Sequence, residues 1–254
     1  MVIEKPDKQT REDASAEVLV VVDTHCQWLV PVELAVTFAA ARSASLRGIF
    51  VDDAQLQRVA ELPFAREVTL LGAQPRALGQ KQLSRSMLDV SQRFQRLLSE
   101  RAQPLAVAYS FAMVSDRQQA LAMALSQGAD LLIIGQPRVL PLPTSRPLRV
   151  LLLPAASGDL LSALAVLLDL EPDRPAEVLV VEAQRGDSCG EQLACLRQRF
   201  AFMHTREADA EALHGLLNAT GQNSLDYVLV ARLAPAELLA QVLNLASCPI
   251  LVTA

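Results

Sequence analysis

The side chains best suited to chemistry stand close together. Asp23, His25 and Cys26 follow directly on the run Val18-Leu19-Val20-Val21-Val22. A carboxylate, an imidazole and a thiol are the groups from which zinc sites and acid–base pairs are built. A tetrahedral metal site needs a further ligand from elsewhere, and the sequence identifies none; His204 and His214 belong to the other half of the chain. No metal site is expected, and a hydrolase or redox enzyme built on this loop is the least favoured reading. Cys189 and Cys195 are six apart on an expected helix, on different faces and with no base nearby, so both read as inert. Arg138, Arg146 and Arg149 could hold an anion at a crevice mouth, although exposed linker arginines are commoner. Ser115 with Gln118 reads as a capping box, and Ser157-Gly158-Asp159 as a helix start. Without a Ser-His-Asp order, a paired acidic constellation or a phosphate-binding lysine loop, the chain is not expected to be an enzyme.

Alternating strands and helices must position these residues. Val18–Val22 is a continuous β-branched run ending in Asp23, the pattern of a strand buried on both faces. Pro31 and Glu33 suit the first turn of a helix running to about Ser43, and Leu46–Val51 is a second strand. Asp53 can cap a short helix through Glu61, and Glu67–Leu71 is either a strand or a loop. Apolar residues keep helical spacing from Gln80 to Ala102. Leu105–Tyr109 reads as a third strand, Ser115–Gln127 as a helix closed by Gly128, and Leu131–Ile134 as a fourth strand. Pro137, Pro141, Pro143 and Pro147 then exclude a helix and mark a boundary.

Beyond it the plan restarts: strands at Arg149–Leu153, Glu177–Val181, Phe200–His204, Tyr227–Val230 and Pro249–Val252 alternate with helices. The expected division is a tail (1–16), a first domain (17–136), a Pro-rich linker (137–148) and a second domain (149–254).

The composition agrees with this class. The chain has 254 residues, 51% of them hydrophobic but only 4% aromatic, which suits aliphatic cores between helices and a parallel sheet. A net charge of −5 without a basic run argues against nucleic-acid or anionic-membrane partners. The four scattered cysteines suggest a reducing compartment, and the tail lacks the apolar core of a signal peptide. The most apolar helix, Leu160–Leu170, is too short to span a bilayer. A cytoplasmic protein without membrane insertion is expected.

The strand ending in Asp23, the segment Gly128-Ala129-Asp130-Leu131-Leu132-Ile133-Ile134-Gly135 and the ending Cys248-Pro249-Ile250-Leu251-Val252 together resemble the universal stress protein family. The resemblance covers about Glu17–Ala254 as a tandem pair and is weaker in the second half. It implies two tandem open parallel-sheet domains of the adenine nucleotide α-hydrolase-like, Rossmann-like type, with strand order 3-2-1-4-5 in a complete copy. Only one strand, Arg149–Leu153, stands where the family has two, so the first copy is expected to lack its fifth strand. Strand four is then exposed or covered by Val139–Leu142.

Fifth strands in this family often pair between chains. The resemblance therefore implies a homodimer through Ile250, Leu251, Val252 and Thr253. Nucleotide-binding members carry Gly-x-x-Gly, nine residues, then Gly-Ser or Gly-Thr. Counted from Gly135, Arg138 replaces the second glycine and Leu148-Arg149 the final pair. The expectation is a regulatory or stress-response module with a degenerate ATP motif, no cofactor, and function through dimerisation and a protein partner. The alternative is an ATP- or other adenine-nucleotide-binding protein using Asp23, Thr24, Val51, Gly135 and Arg138. Whether the crevice is open, or plugged by side chains such as His25 and Arg138, separates the two.

Overall fold

The computed structural model describes residues 16–52, 58–67, 76–77, 79–126, 128–136, 146–153, 164–167, 175–182, 203–207, 210–219, 224–231 and 236–253. In the first half these form β1 (Glu17–Asp23), α1 (Leu29–Arg42), β2 (Ser45–Val51), β3 (Arg66–Glu67), β4 (Arg76–Ala77), α2 (Gln80–Ala102), β5 (Tyr109–Val114), α3 (Arg117–Ser126) and β6 (Leu131–Ile134). The second half contributes β7 (Leu148–Leu153), β8 (Ala176–Glu182), β9 (Met203–Glu207), α4 (Ala210–Leu217), β10 (Tyr227–Ala231), α5 (Ala236–Leu245) and β11 (Ile250–Thr253).

The strands of both halves share one nine-stranded sheet in the order β5-β2-β1-β6-β11-β10-β7-β8-β9, with β3 and β4 forming a separate small hairpin. Its neighbours run parallel except at the seam, where β11 lies antiparallel to β6 and pairs Ile250 with Ile134 through to Thr253 with Leu131. The second half follows the implied 3-2-1-4-5 order as β9-β8-β7-β10-β11, and the first half follows 3-2-1-4. Because the seam is antiparallel, the carboxyl ends of the two sets of strands open on opposite edges of the sheet.

Alternation along each strand feeds two cores. Val18, Val20 and Val22 pack on the face of α1 and α2, and Leu19 and Val21 on the face of α3, α4 and α5. Each such side chain, fully withdrawn from water, stabilises the fold by about 1.5–3 kcal/mol. The seam shares in this: Ile250–Thr253 and Leu131–Ile134 are entirely buried.

That burial corrects two expectations. Strand β6 is covered neither by solvent nor by a partner but by β11 of the same chain; Val139–Leu142 lie outside the described residues. Ile250, Leu251, Val252 and Thr253 are bonded to β10 on one side and β6 on the other, so they offer no free edge to a second chain. A buried apolar strand four needs an edge partner, and the chain supplies its own.

Three local boundaries also differ. The third strand of the first half is Tyr109–Val114, not Leu105–Tyr109, because Gln103–Leu105 form a 3-10 turn and Ala106 takes a left-handed conformation at φ 54°. Helix α1 starts at Leu29, two residues ahead of Pro31, which leaves no acidic residue in its first turn. Helix α3 is capped by Asp116, whose Oδ1 accepts the Gln119 amide at 3.0 Å, and not by a Ser115–Gln118 box. Among the described residues, no helix is long and apolar enough to cross a membrane.

Candidate functional site

The crevice of the first half lies where β1 and β6 end. Asp23 closes β1 opposite Val51 of β2, and Gly135 follows β6, its amide donating to the Val21 carbonyl at 2.8 Å. The structure thus brings Asp23, Val51 and Gly135 to one end of the sheet, with Thr24 in the adjoining turn. Arg138, Asp53, Ser157, Gly158, Asp159, Cys189 and Cys195 lie outside the described residues.

Both oxygens of the Asp23 carboxylate are engaged. Oδ1 accepts the backbone amides of His25 at 2.8 Å and Cys26 at 3.0 Å, which closes the loop into α1. Oδ2 accepts Nη1 of Arg117 at 3.0 Å. The other arm of Arg117 donates to Oε1 of Gln136 at 3.0 Å, and Gln136 Nε2 donates to the Leu243 carbonyl at 3.3 Å. That carbonyl lies in the last turn of α5 (Ala236–Leu245), where a helix leaves its carbonyls without intrahelical partners. A chain of contacts therefore runs from the first strand of one half to the last helix of the other.

Sequence reasoning singled out neither Arg117 nor Gln136 as a site residue. The separations of 94 and 107 positions explain why. The available signal was the placement of Arg117 in the first turn of α3, where the helix dipole disfavours a cation unless a carboxylate is near.

Cys26 occupies the rest of the space. Its Sγ donates to the Asp23 carbonyl at 3.4 Å, and the indole of Trp28 donates to the same oxygen at 2.7 Å. A Cβ added to Gly135 would stand 2.8 Å from the Cys26 Sγ and 3.3 Å from a Val22 methyl. The glycine is thus required by the thiol packed against it, and its φ is not in the left-handed region. Burial pushes the Cys26 thiol up to about 12, the negative Asp23 adding to the rise, while the Asp23 amide donating to Sγ at 3.4 Å and the Arg117 charge act against it. A thiol so protonated is a poor nucleophile near neutral pH. Among the described residues, no group of three or more His, Cys, Asp and Glu side chains is placed to hold a metal ion.

The other arginines flanking the linker are paired elsewhere. Arg146 bonds Asp226 at 3.0 Å, both nearly buried, and Arg149 bonds Glu177 at 2.9 Å across β7 and β8. Several strands separate them from Asp23. In the second half the residue in register with Gly135 is Ala231, fully buried.

No family model matches the chain, and no curated protein matches it. Among solved structures, a universal stress protein from Archaeoglobus fulgidus DSM 4304 aligns over 92% of this chain and 95% of its own, at 8% identity and a TM-score of 0.43. A putative universal stress protein from Pseudomonas aeruginosa UCBPP-PA14 aligns over 94% and 93%, at 12% identity and a TM-score of 0.40. The cytoplasmic domain of a prokaryotic cation chloride cotransporter aligns over 94% and 95%, at 13% identity and a TM-score of 0.40. The strand order β9-β8-β7-β10-β11 is the order that the sequence resemblance implies for a complete copy.

Proposed function

We propose that the protein is a non-enzymatic regulatory or stress-response module of universal stress type. In this reading it acts through self-association and protein contacts and does not hold ATP in the usual way. The observation that carries the reading is the use of Asp23 by two backbone amides and Arg117, with Gln136 and Cys26 beside it. A ribose or adenine at Asp23 would compete with a charge-assisted hydrogen bond from Arg117. The Gly135 position, which a phosphate loop would keep clear, is packed against a thiol. On this reading the protein works in the cytoplasm without a cofactor, and its two halves descend from one repeated unit whose first copy lost its fifth strand. The net charge of −5 supports a protein partner over a nucleic acid.

Calorimetric titration of the full chain with ATP and magnesium tests the reading. No saturable heat is expected. Saturable binding abolished by Asp23→Ala would replace it with a nucleotide-binding function at Asp23, Thr24, Val51 and Gly135.

A further inference from the structure

The two outer strands of the sheet differ in kind. At one end β9 reads Met-His-Thr-Arg-Glu, with charges of both signs, the composition that keeps an exposed edge from pairing. At the other end β5 reads Tyr-Ser-Phe-Ala-Met-Val, six residues with no charge and no proline. Tyr109 and Met113 are 37% and 44% exposed, and Leu105 just ahead of the strand is 51% exposed. No described residue pairs with the far side of β5.

The hydrogen-bond phase of β5 fixes what that far side presents. The amide of Leu46 donates to the Ala108 carbonyl and that of Asp52 to the Val114 carbonyl, each at 2.8 Å. In a parallel pair alternate residues face the neighbour, so Ser110 and Ala112 also turn their backbone toward β2. Tyr109, Phe111 and Met113 therefore direct their N–H and C=O groups outward. Their side chains share one face of the sheet, where Phe111 packs 6.0 Å from Phe94 of α2 and the Tyr109 hydroxyl bonds Ser99 of the same helix.

We propose that this edge pairs antiparallel with β5 of a second copy of the chain, about a two-fold axis at Phe111. In that register Phe111 faces Phe111 of the other copy, and Tyr109 and Met113 face one another twice. All three are the outward-bonding residues, so each pair exchanges both backbone hydrogen bonds. The exposed phenol ring and thioether then cover each other, a favourable contact, while the small Ser110 and Ala112 meet on the opposite face. The strand itself brings no charge to the pairing. The strand is self-complementary in backbone phase, size and polarity, which argues for a copy of itself over a foreign strand. The inference rests on the self-association part of the reading above and gives it a place that Ile250–Thr253 cannot.

Sedimentation velocity of the full chain under reducing conditions, paired with amide exchange, tests it. A dimer in the micromolar range is expected, with Met113→Lys and Tyr109→Lys each weakening it at least tenfold. Met113 is exposed, so Met113→Lys keeps the fold, and Tyr109→Phe, which gives up the Ser99 bond but keeps the ring, controls for the loss of that bond in Tyr109→Lys. In the wild-type protein the amides of Tyr109, Phe111 and Met113 gain protection with concentration, while those of Ser110 and Ala112 are protected already. A monomer at every concentration would overturn both the pairing and self-association. A dimer that survives Met113→Lys and Tyr109→Lys, with the odd-numbered amides exchanging freely, would overturn the β5 interface alone.

Discussion

At the amino ends of their central strands the two halves carry the same clasp. Asp130, just before β6, accepts the Glu17 amide on its side chain at 2.8 Å while its own amide donates to the Glu17 carbonyl at 2.9 Å. Asp226, just before β10, repeats this with Arg149 at 2.9 Å and 2.8 Å. A salt bridge to the next strand accompanies each, Glu17 to Arg47 and Arg149 to Glu177, with the signs reversed. At the carboxyl ends the halves part company. The first has Asp23, Arg117, Gln136 and a glycine filled by Cys26, whereas the second has a buried Ala231 in the glycine's place. The clasp aligns strands one and four in each half. At the carboxyl end of the first half, where ligands bind in open sheets, Asp23, Arg117 and Gln136 are joined by internal contacts.

The clasps can be broken separately. In the second half Asp226 also holds Arg146, and side-chain exposures of 2% and 10% leave that pair almost without water. Asp226→Ala strands a buried guanidinium and is expected to cost about 3–5 kcal/mol. Asp130→Ala, which loses a half-buried bond to one amide, should cost about 1–3 kcal/mol. Urea denaturation of the two variants checks the order; equal losses would mean that the Arg146 pair adds nothing to the second clasp.

The next largest effect separates the two carboxyl ends. Gly135→Ala drives a methyl group against Cys26 and should cost about 1–3 kcal/mol by overpacking. A second change, Cys26→Ala, should recover part of that loss. Ala231→Gly, in register in the other half, should cost only about 0.5–1 kcal/mol through backbone freedom. If Gly135→Ala is harmless, the thiol is not what demands the glycine.

A further effect appears only in alkali. The folded Cys26 thiol ionises at about 12 against an ordinary value of 9.0. Between those values the unfolded chain has lost the proton that the folded chain keeps, so stability falls as pH rises. The loss is at most about 1.4 kcal/mol per pH unit. Below pH 9 it is absent. The stability gap between the wild-type protein and Cys26→Ala should therefore narrow through this alkaline window, and a pH-independent gap would contradict the burial-driven shift.

Much of this architecture can be read along the chain. The Val18–Val22 and Leu131–Ile134 runs announce doubly buried strands, and Gly128 marks a helix end through its φ of 71°. The alternation restarting after the prolines anticipates the second half. The edge strand was harder to place, because Leu105–Tyr109 is as apolar as Tyr109–Val114 and only the left-handed Ala106 decides between them. The candidate site was half legible. Asp23 and Gly135 follow from local pattern, but their partners do not: Arg117, Gln136 and the seam between β6 and β11 are long-range pairings that no local periodicity encodes.

The central claim is that Asp23 now serves the fold and not a nucleotide. Thermal unfolding of the wild-type protein and of Asp23→Ala, each with and without ATP and magnesium, addresses it directly. A ligand present at one hundred times its dissociation constant adds about 2.7 kcal/mol to the state that binds it. The account predicts that Asp23→Ala lowers the melting temperature by the same amount with and without ATP, and that ATP moves neither protein. A melting temperature raised by ATP in the wild-type protein and unchanged by it in Asp23→Ala would contradict the account.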